Sequence, residues 1–231
     1  MMHQNSTTAN RGEMKELNKD SLGHAIYGRV SQDLIRGKLQ PNQKLTIRGL
    51  ADSLGTSSTP VRDAVQRLLQ DNALEQRSMR DLRVPVLTTA AYLEITAIRT
   101  ELEGLAAAGA AAVAQDKDVA MLKRIVLRNE EASAAGKWPL AIEMNQKFHF
   151  ALAEIAGMPI LLGVLSRLWL RTGPLISGYY AKTHNDMVAQ HHQIIAACET
   201  HDSAAARAAM QADIEKPRDG ITQYIQTLEQ K

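Results

Sequence analysis

Over most of this chain, apolar residues recur at the three-to-four spacing of amphipathic helices. Ile26, Val30 and Leu34, spaced by four, put one apolar face on a first helix that should end near Gly37. A turn at Pro41-Asn42 follows. Thr46, as N-cap, opens a short helix through Ile47, Leu50, Ala51 and Leu54, which stops at Gly55. A third helix starts at Ser58-Thr59-Pro60-Val61, with Thr59 as N-cap and Pro60 at the first helical position, where a missing N–H costs nothing. Val61, Val65, Leu68 and Leu69 form its buried stripe, Arg62, Gln66 and Arg67 lie off it, and the helix ends near Asn72. Ala73–Glu75 and Leu82–Val86 then read as two short strands around a basic, polar connection from Gln76 to Asp81.

From Thr88 the pattern is almost purely helical. Thr88 or Thr89 caps a helix whose buried positions include Leu93, Ala97, Leu102 and Leu105. Later breaks fall at Gln115-Asp116, Gly136-Lys137, Gly157-Met158-Pro159, Thr183-His184-Asn185 and His201-Asp202. Six or so helices result, an antiparallel all-α bundle with short loops. The alanine run Ala106–Ala114 implies close helix packing. Residues 1–20 are polar, lack the apolar stretch of a secretory signal and read as a disordered lead-in. The expected division is therefore 1–20, a smaller unit over 21–86 and an all-helical unit over 87–231.

Composition supports this reading. Only 4% of residues are aromatic while 45% are hydrophobic, so Ala, Leu, Ile and Val must build the core. Cys198 is the single cysteine, which excludes an intrachain disulfide and fits a reducing, cytoplasmic compartment. No run of about 18 apolar residues exists, so no membrane partner is expected. The net charge of +2 conceals an asymmetry: residues 1–85 hold 13 Lys+Arg against 9 Asp+Glu, and residues 86–231 hold 14 against 16. The basic excess sits on the smaller unit, where it can face nucleic acid.

Helix, helix, tight turn, helix and hairpin is the order of a winged helix-turn-helix. Such a fold presents the N-terminal end of its third helix to the major groove of double-stranded DNA. The stretch LTIRGLADSLGTSSTPVRDAVQRL over residues 45–68 resembles the DNA-binding core of the GntR superfamily of bacterial transcription regulators. The signature positions are Arg48, Leu50-Ala51, Leu54-Gly55 and Thr59-Pro60-Val61-Arg62. The resemblance implies DNA contacts from Arg48 on the second helix and from Ser57, Ser58, Thr59 and Arg62 at the turn and third helix. Arg62 is the candidate for bidentate guanine or backbone contact; the alternative is a salt bridge with Asp63 or a neighbour. Two departures stand out. Ser58 occupies a position where many relatives carry arginine, which removes one long basic contact. Arg80-Asp81 occupies a wing tip where glycine is usual, which argues against a tight, groove-inserting wing. Arg77, Arg80 and Arg83 either recover phosphate affinity from the wing or are plain solvated surface.

In the helical unit, Asn145 and His149 are four apart and so share one helix face. His191 lies on a later helix, and Asp213 follows 22 residues beyond it, which leaves room for a helix-loop-helix return. Convergence of these four would suit a divalent cation such as zinc or nickel. The segments RTELE from Arg99, NQKFHFAL from Asn145 and HHQIIAA from His191 resemble the FCD ligand-binding domain of the FadR-like branch. Many members of that branch hold a metal with one aspartate and three histidines. Asn145, His149, His191 and Asp213 stand at those positions, so the first ligand has lost its charge and the last is an acid where histidine is expected. The alternative is a metal-free polar pocket built from the same four residues. The resemblance also implies that Arg99 pairs with an acidic effector, against a structural ion pair with Glu103 at i+4. His184, His192 and His201 should be exposed.

The fold is thus expected to be mainly α, a winged helix-turn-helix followed by an FCD bundle that binds effector and forms a homodimer. The function read from it is a repressor acting at a palindromic operator in answer to a small carboxylate held by Arg99, Asn145, His149 and His191. Two rivals remain: a metal-dependent small-molecule enzyme built in a helical bundle, for which no separate general base is evident, and a sequence-neutral architectural DNA binder.

Overall fold

The computed structural model describes residues 22–229; the expected lead-in over 1–20 lies outside the described residues. Two compact units account for them, one of residues 22–32 and 43–84, the other of residues 33–42 and 85–229. The molecule is mainly α, as the periodicity predicts.

The smaller unit is built from α1 (22–35), whose last residues count with the other unit, then β1 (Lys44–Leu45), α2 (Ile47–Leu54), α3 (Ser58–Gln70), β2 (Glu75–Ser78) and β3 (Asp81–Arg83). Thr46 caps α2 as expected, its hydroxyl accepting from the Gly49 N–H at 3.0 Å, and Gly55 ends the helix at φ +64°. The cap of α3 differs from expectation. Ser57, not Thr59, is the N-cap, and Pro60 sits third in the helix. That is physically permitted because the first four N–H groups of a helix have no intrahelical acceptor. Val61, Ala64, Val65 and Leu68 are buried against Ile26, Val30, Leu50 and Leu82 in the core of this unit.

The sheet also departs from the sequence reading. It has three antiparallel strands in the order β1-β3-β2, with Leu45 opposite Leu82 and Gln76 opposite Leu82 from the other side. A two-residue β1 carries no readable period, so it escaped notice. The strands predicted at 73–75 and 82–86 sit at 75–78 and 81–83, and most of the expected connection is itself strand. Only Met79 and Arg80 turn the chain, both at negative φ. The wing is tight without a glycine, because this turn requires no left-handed residue.

The larger unit contains seven helices: α4 (Thr89–Val113), α5 (Asp116–Ala134), α6 (Trp138–Ile155), α7 (Pro159–Thr183), α8 (Ala189–Glu199), α9 (Ser203–Glu215) and α10 (Arg218–Glu229). Every predicted break is present, and one more separates α9 from α10 at Lys216-Pro217, where proline cannot continue the donor ladder. Thr88 caps α4, accepting from the Ala91 N–H at 3.2 Å. The buried face of α4 was misread, however. Leu93 and Leu105 are 40% and 43% exposed, Ala97 is exposed and Leu102 half-buried. The inward face is Tyr92, Ile95, Thr96, Arg99, Glu103, Ala106, Ala107 and Ala110. Leucine content pointed to the wrong side because α4 turns a polar pair into the bundle and packs by its alanines. At Gly104 a Cβ would lie 3.2 Å from the Arg207 and Gln211 side chains of α9, so a larger residue there requires those side chains to shift. None of the described helices is long and apolar enough to cross a membrane.

Leu122 on α5 is fully buried. Leu122→Ala is expected to destabilise the bundle by about 2–5 kcal/mol, read as a lower urea midpoint by far-ultraviolet circular dichroism.

Candidate functional site

Two places gather the residues singled out from sequence, one in each unit. In the smaller unit, Arg48 on α2, Thr59 and Arg62 on α3, Ser57 just before α3 and Arg80 at the wing tip are exposed, and Ser58 is half-buried. Ser57 makes no side-chain cap bond, so the first-turn N–H groups of α3 face no capping oxygen. They carry the positive end of the helix dipole, a natural phosphate seat. Arg62 and Arg80 line one groove of about 350 Å³ with Gln66, Gln76 and Met79; Arg48, Ser57 and Thr59 lie outside it.

The basic side chains of this unit divide sharply. Arg77 pairs with Glu75 at 2.6 Å, Arg83 with Asp81 at 2.8 Å, and Arg67 lies 4.5 Å over the Tyr27 ring. Among the described residues, Arg48, Arg62 and Arg80 enter no such pair, so the salt bridge weighed for Arg62 with Asp63 does not form. An unpaired exposed guanidinium keeps its donors for a ligand.

In the larger unit, α4, α6, α7 and α9 converge on a small buried cavity. Arg99, Asn145, His149 and Asp213 line it, with Trp169 and Tyr180. His191 of α8 is not part of the lining but sits beside it, its ring stacked on Phe148 at 4.0 Å. The Nε2 atom of His149 is 3.3 Å from Asp213, and that of His191 is 3.5 Å from the other oxygen of the same carboxylate. All five residues expected to form the site are therefore brought together. His191, not His192, is the inward one; His192 is exposed and pairs with Glu130 at 2.8 Å. His184 and His201 are exposed as expected.

Sequence reasoning undervalued Glu103. Its carboxylate is buried and takes three partners: Arg99 Nε donates at 2.6 Å and Trp169 Nε1 at 3.2 Å to one oxygen, while His149 Nδ1 lies 2.5 Å from the other. The ion pair considered for Arg99 is thus realised, with the guanidinium also 4.2 Å over the Trp169 ring. The i+4 spacing from Arg99 was the available signal. Nothing in the sequence indicated that Trp169, Tyr180 and Met187, on other elements, would share the cavity.

Electrostatics fixes the protonation pattern. Burial would raise the Glu103 carboxyl, but the Arg99 guanidinium and the His149 ring outweigh it and hold it down at about 2. Burial would lower His149, yet Glu103 and Asp213 more than reverse that and push it up to about 9. Burial pushes Asp213 up, and His191 and His149 hold it below the usual carboxylate range. Burial lowers His191, and Asp213 only partly opposes this, so His191 is neutral. Its Nδ1 and Nε2 are buried without a hydrogen-bond partner, and the His149 Nε2 has the ionic contact with Asp213. Among the described residues, His149, His191 and Asp213 form the one such group whose ligand atoms lie within 4.8 Å of each other. Orphaned imidazole nitrogens aimed at one carboxylate fit a divalent cation.

His149 binds its proton more tightly folded than unfolded, where it titrates near 6.5. With metal chelated, its stabilisation is complete below pH 6.5 and is lost as pH rises through about 9. That of Glu103 is present above pH 4.5 and is lost as pH falls toward about 2. Tm measured with chelator is expected to fall through the alkaline limb, and His149→Ala to flatten that limb.

Both units match known protein families. Residues 22–84 match the model of the bacterial regulatory proteins of the gntR family, and residues 94–216 match the FCD domain. The HTH-type transcriptional regulator McbR of Escherichia coli is 31% identical over 200 residues, covering 85% of this chain and 89% of McbR. The HTH-type transcriptional repressor GlaR of the same organism is 26% identical over 208 residues, covering 83% and 91%. The solved structure of McbR/YncC superposes with a TM-score of 0.82 at 28% identity, covering 88% of this chain and 98% of that one. The two curated relatives are named as an HTH-type transcriptional regulator and an HTH-type transcriptional repressor, and the enzyme alternative has no support beside them. The chain belongs to the GntR family of bacterial transcription regulators, with an FCD domain behind its winged helix, and is a DNA-binding protein rather than an enzyme.

Proposed function

We propose that this regulator is a homodimeric repressor that binds a palindromic operator and answers a small carboxylate effector at the histidine cavity, through a divalent metal. The observation that carries the effector reading is that the Nε2 atoms of His149 and His191 both face the Asp213 carboxylate, at 3.3 and 3.5 Å, and that neither ring nitrogen of the buried His191 has a hydrogen-bond partner. His149, His191 and Asp213 would hold the cation, with the Asn145 amide oxygen as a weak fourth donor. Glu103 fixes His149 by its Nδ1 and leaves Nε2 toward the metal, as a carboxylate behind a ligating imidazole does.

Charge balance selects the effector class. Arg99, Glu103 and Asp213 sum to −1, and protonated His149 brings the cavity to zero. A bound dication, which polarises whatever oxygen it meets, requires neutral His149 and leaves the cavity at +1. An anionic group restores neutrality, and a monocarboxylate does so with one charge.

Two further observations support the dimer and the repressor. α4 turns Leu93, Ile98 and Leu105 outward, and α7 exposes Ile160 and Val164, an apolar surface suited to a second copy. Two-fold symmetry in the protein is mirrored by a palindromic site, and GlaR, a relative over most of the chain, is named a repressor. At the DNA, the unpaired Arg62 reads the major groove from α3, and Arg48, Ser57, Ser58, Thr59 and Arg80 supply the surrounding contacts.

Two measurements test this. Footprinting and fluorescence anisotropy on the region upstream of its own operon should show protection that random DNA lacks at matched salt. Arg62→Ala should weaken that binding by about 1–3 kcal/mol without changing dimer mass. Protection of random DNA to the same degree would favour an architectural role. Elemental analysis should find metal in the purified protein and little in the His149→Ala, His191→Ala double variant; none in the parent ends the metal reading.

A further inference from the structure

The histidine cavity is too small for the ligand its chemistry selects. Its volume is about 30 Å³, room for about two waters. A carboxylate bearing any carbon chain therefore needs a side chain to move. Polar residues are poor candidates, because Arg99, His149 and Asp213 are tied to one another or to Glu103 by ionic contacts.

Outside this cavity, between the C-terminal end of α7 and the start of α8, lies a larger surface pocket of about 640 Å³. Trp138, Glu130, His192 and the connection from His184 to Val188 line it. Met187 is the one residue that lines both spaces, and it is only 5% exposed. It is thus the residue the two spaces share.

The connection that carries Met187 is held by contacts of its own. His184, in the left-handed region at φ +55°, stacks flat on Trp138 with ring centroids 4.9 Å apart. Asn185 donates to the Tyr179 hydroxyl at 2.9 Å, and the Asp186 carboxylate accepts from the Val188 N–H at 2.8 Å. The backbone on either side of Met187 is thereby pinned. Methionine is unbranched, with three rotatable side-chain bonds, so it can leave that shared place without dragging the backbone.

We propose that Met187 is the gate and size filter of the cavity. A small carboxylate enters from the outer pocket as the Met187 side chain swings aside, and the carbon chain behind the carboxylate occupies the space that side chain vacates. The vacated space borders Ile176, Ile214 and Ile221, so the part of the ligand it takes is short and apolar. The inference rests on the carboxylate reading of the site and adds the residue that decides which carboxylates fit.

The test is titration calorimetry and stopped-flow binding on the full chain with zinc added, against acetate, propionate, butyrate and hexanoate. In the parent, affinity should fall off along the series. Met187→Ala should tighten the longer acids by about 10-fold per methylene newly accommodated and speed association; Met187→Phe should move the cut-off toward the shorter acids. Opposite shifts from the two variants separate a size filter from general loosening of the fold. Binding retained with the same cut-off and association rate in both variants overturns the gate and leaves the carboxylate site standing. No acid bound by the parent or either variant overturns the site reading and the gate with it.

Discussion

The buried carboxylate of Glu103 is the constraint from which the rest of the helical unit follows. Removing an unpaired charge from water costs several kcal/mol, so its position demands donors on every side. α4 supplies Arg99, α6 supplies His149 and α7 supplies Trp169. Three helices are thus fixed in register by one side chain. With His149 held at Nδ1, its Nε2 has one direction left, toward Asp213 on α9. The same geometry explains why α4 packs by alanine. A helix that carries an ion pair inward has to approach its neighbours closely, and Gly104, Ala106, Ala107 and Ala110 permit that.

The winged helix obeys the opposite rule. There the arginines of functional interest are those without partners. Arg77 and Arg83 are committed to acids two residues away on their own strands, which stiffens the wing at little electrostatic gain because the pairs face solvent. Arg48, Arg62 and Arg80 remain uncommitted. A basic surface that neutralised all its own charge would have no counterions to release on meeting phosphate. The division between tied and free arginines is therefore what lets a chain of net charge +2 carry a DNA-reading face.

Much of this was legible in sequence, and the failures share one cause. The α2 caps at Thr46 and Gly55, the helix breaks at glycine and proline, and Val61, Val65 and Leu68 of the α3 stripe all follow from local rules, and the structure has them, although Leu69 of that stripe is only half-buried. Asn145, His149, His191 and Asp213 were singled out by the FCD resemblance more than by spacing, since i+4 spacing places Asn145 beside His149 but says nothing of His191 or Asp213. What local pattern misread was α4, where the leucines point outward and a salt bridge inward. Hydrophobicity assigns a face by transfer energy, but a buried ion pair takes its inward place from partners on other helices. β1 was missed because two residues carry no period, and the wing was misplaced because its turn uses ordinary backbone angles that leave no glycine to mark it. Met187 and Trp169 are visible only once four helices are assembled.

The neutral residue at position 145 follows from the same charge accounting. The resemblance to metal-holding members of the FCD branch implies an aspartate there. Here that position is neutral and the acid stands on α9, at Asp213. An aspartate at 145 in addition to Glu103 and Asp213 would leave three buried carboxylates against Arg99 and one protonated histidine, a net negative site without compensation. Asn145 retains the shape and an oxygen donor while removing that charge. Asp213, in turn, sits within 3.5 Å of both imidazoles and so bridges two ligands that would otherwise face each other across an empty space. One carboxylate between two histidines is enough to orient both, which is why the ligand atoms of His149, His191 and Asp213 lie within 4.8 Å of one another.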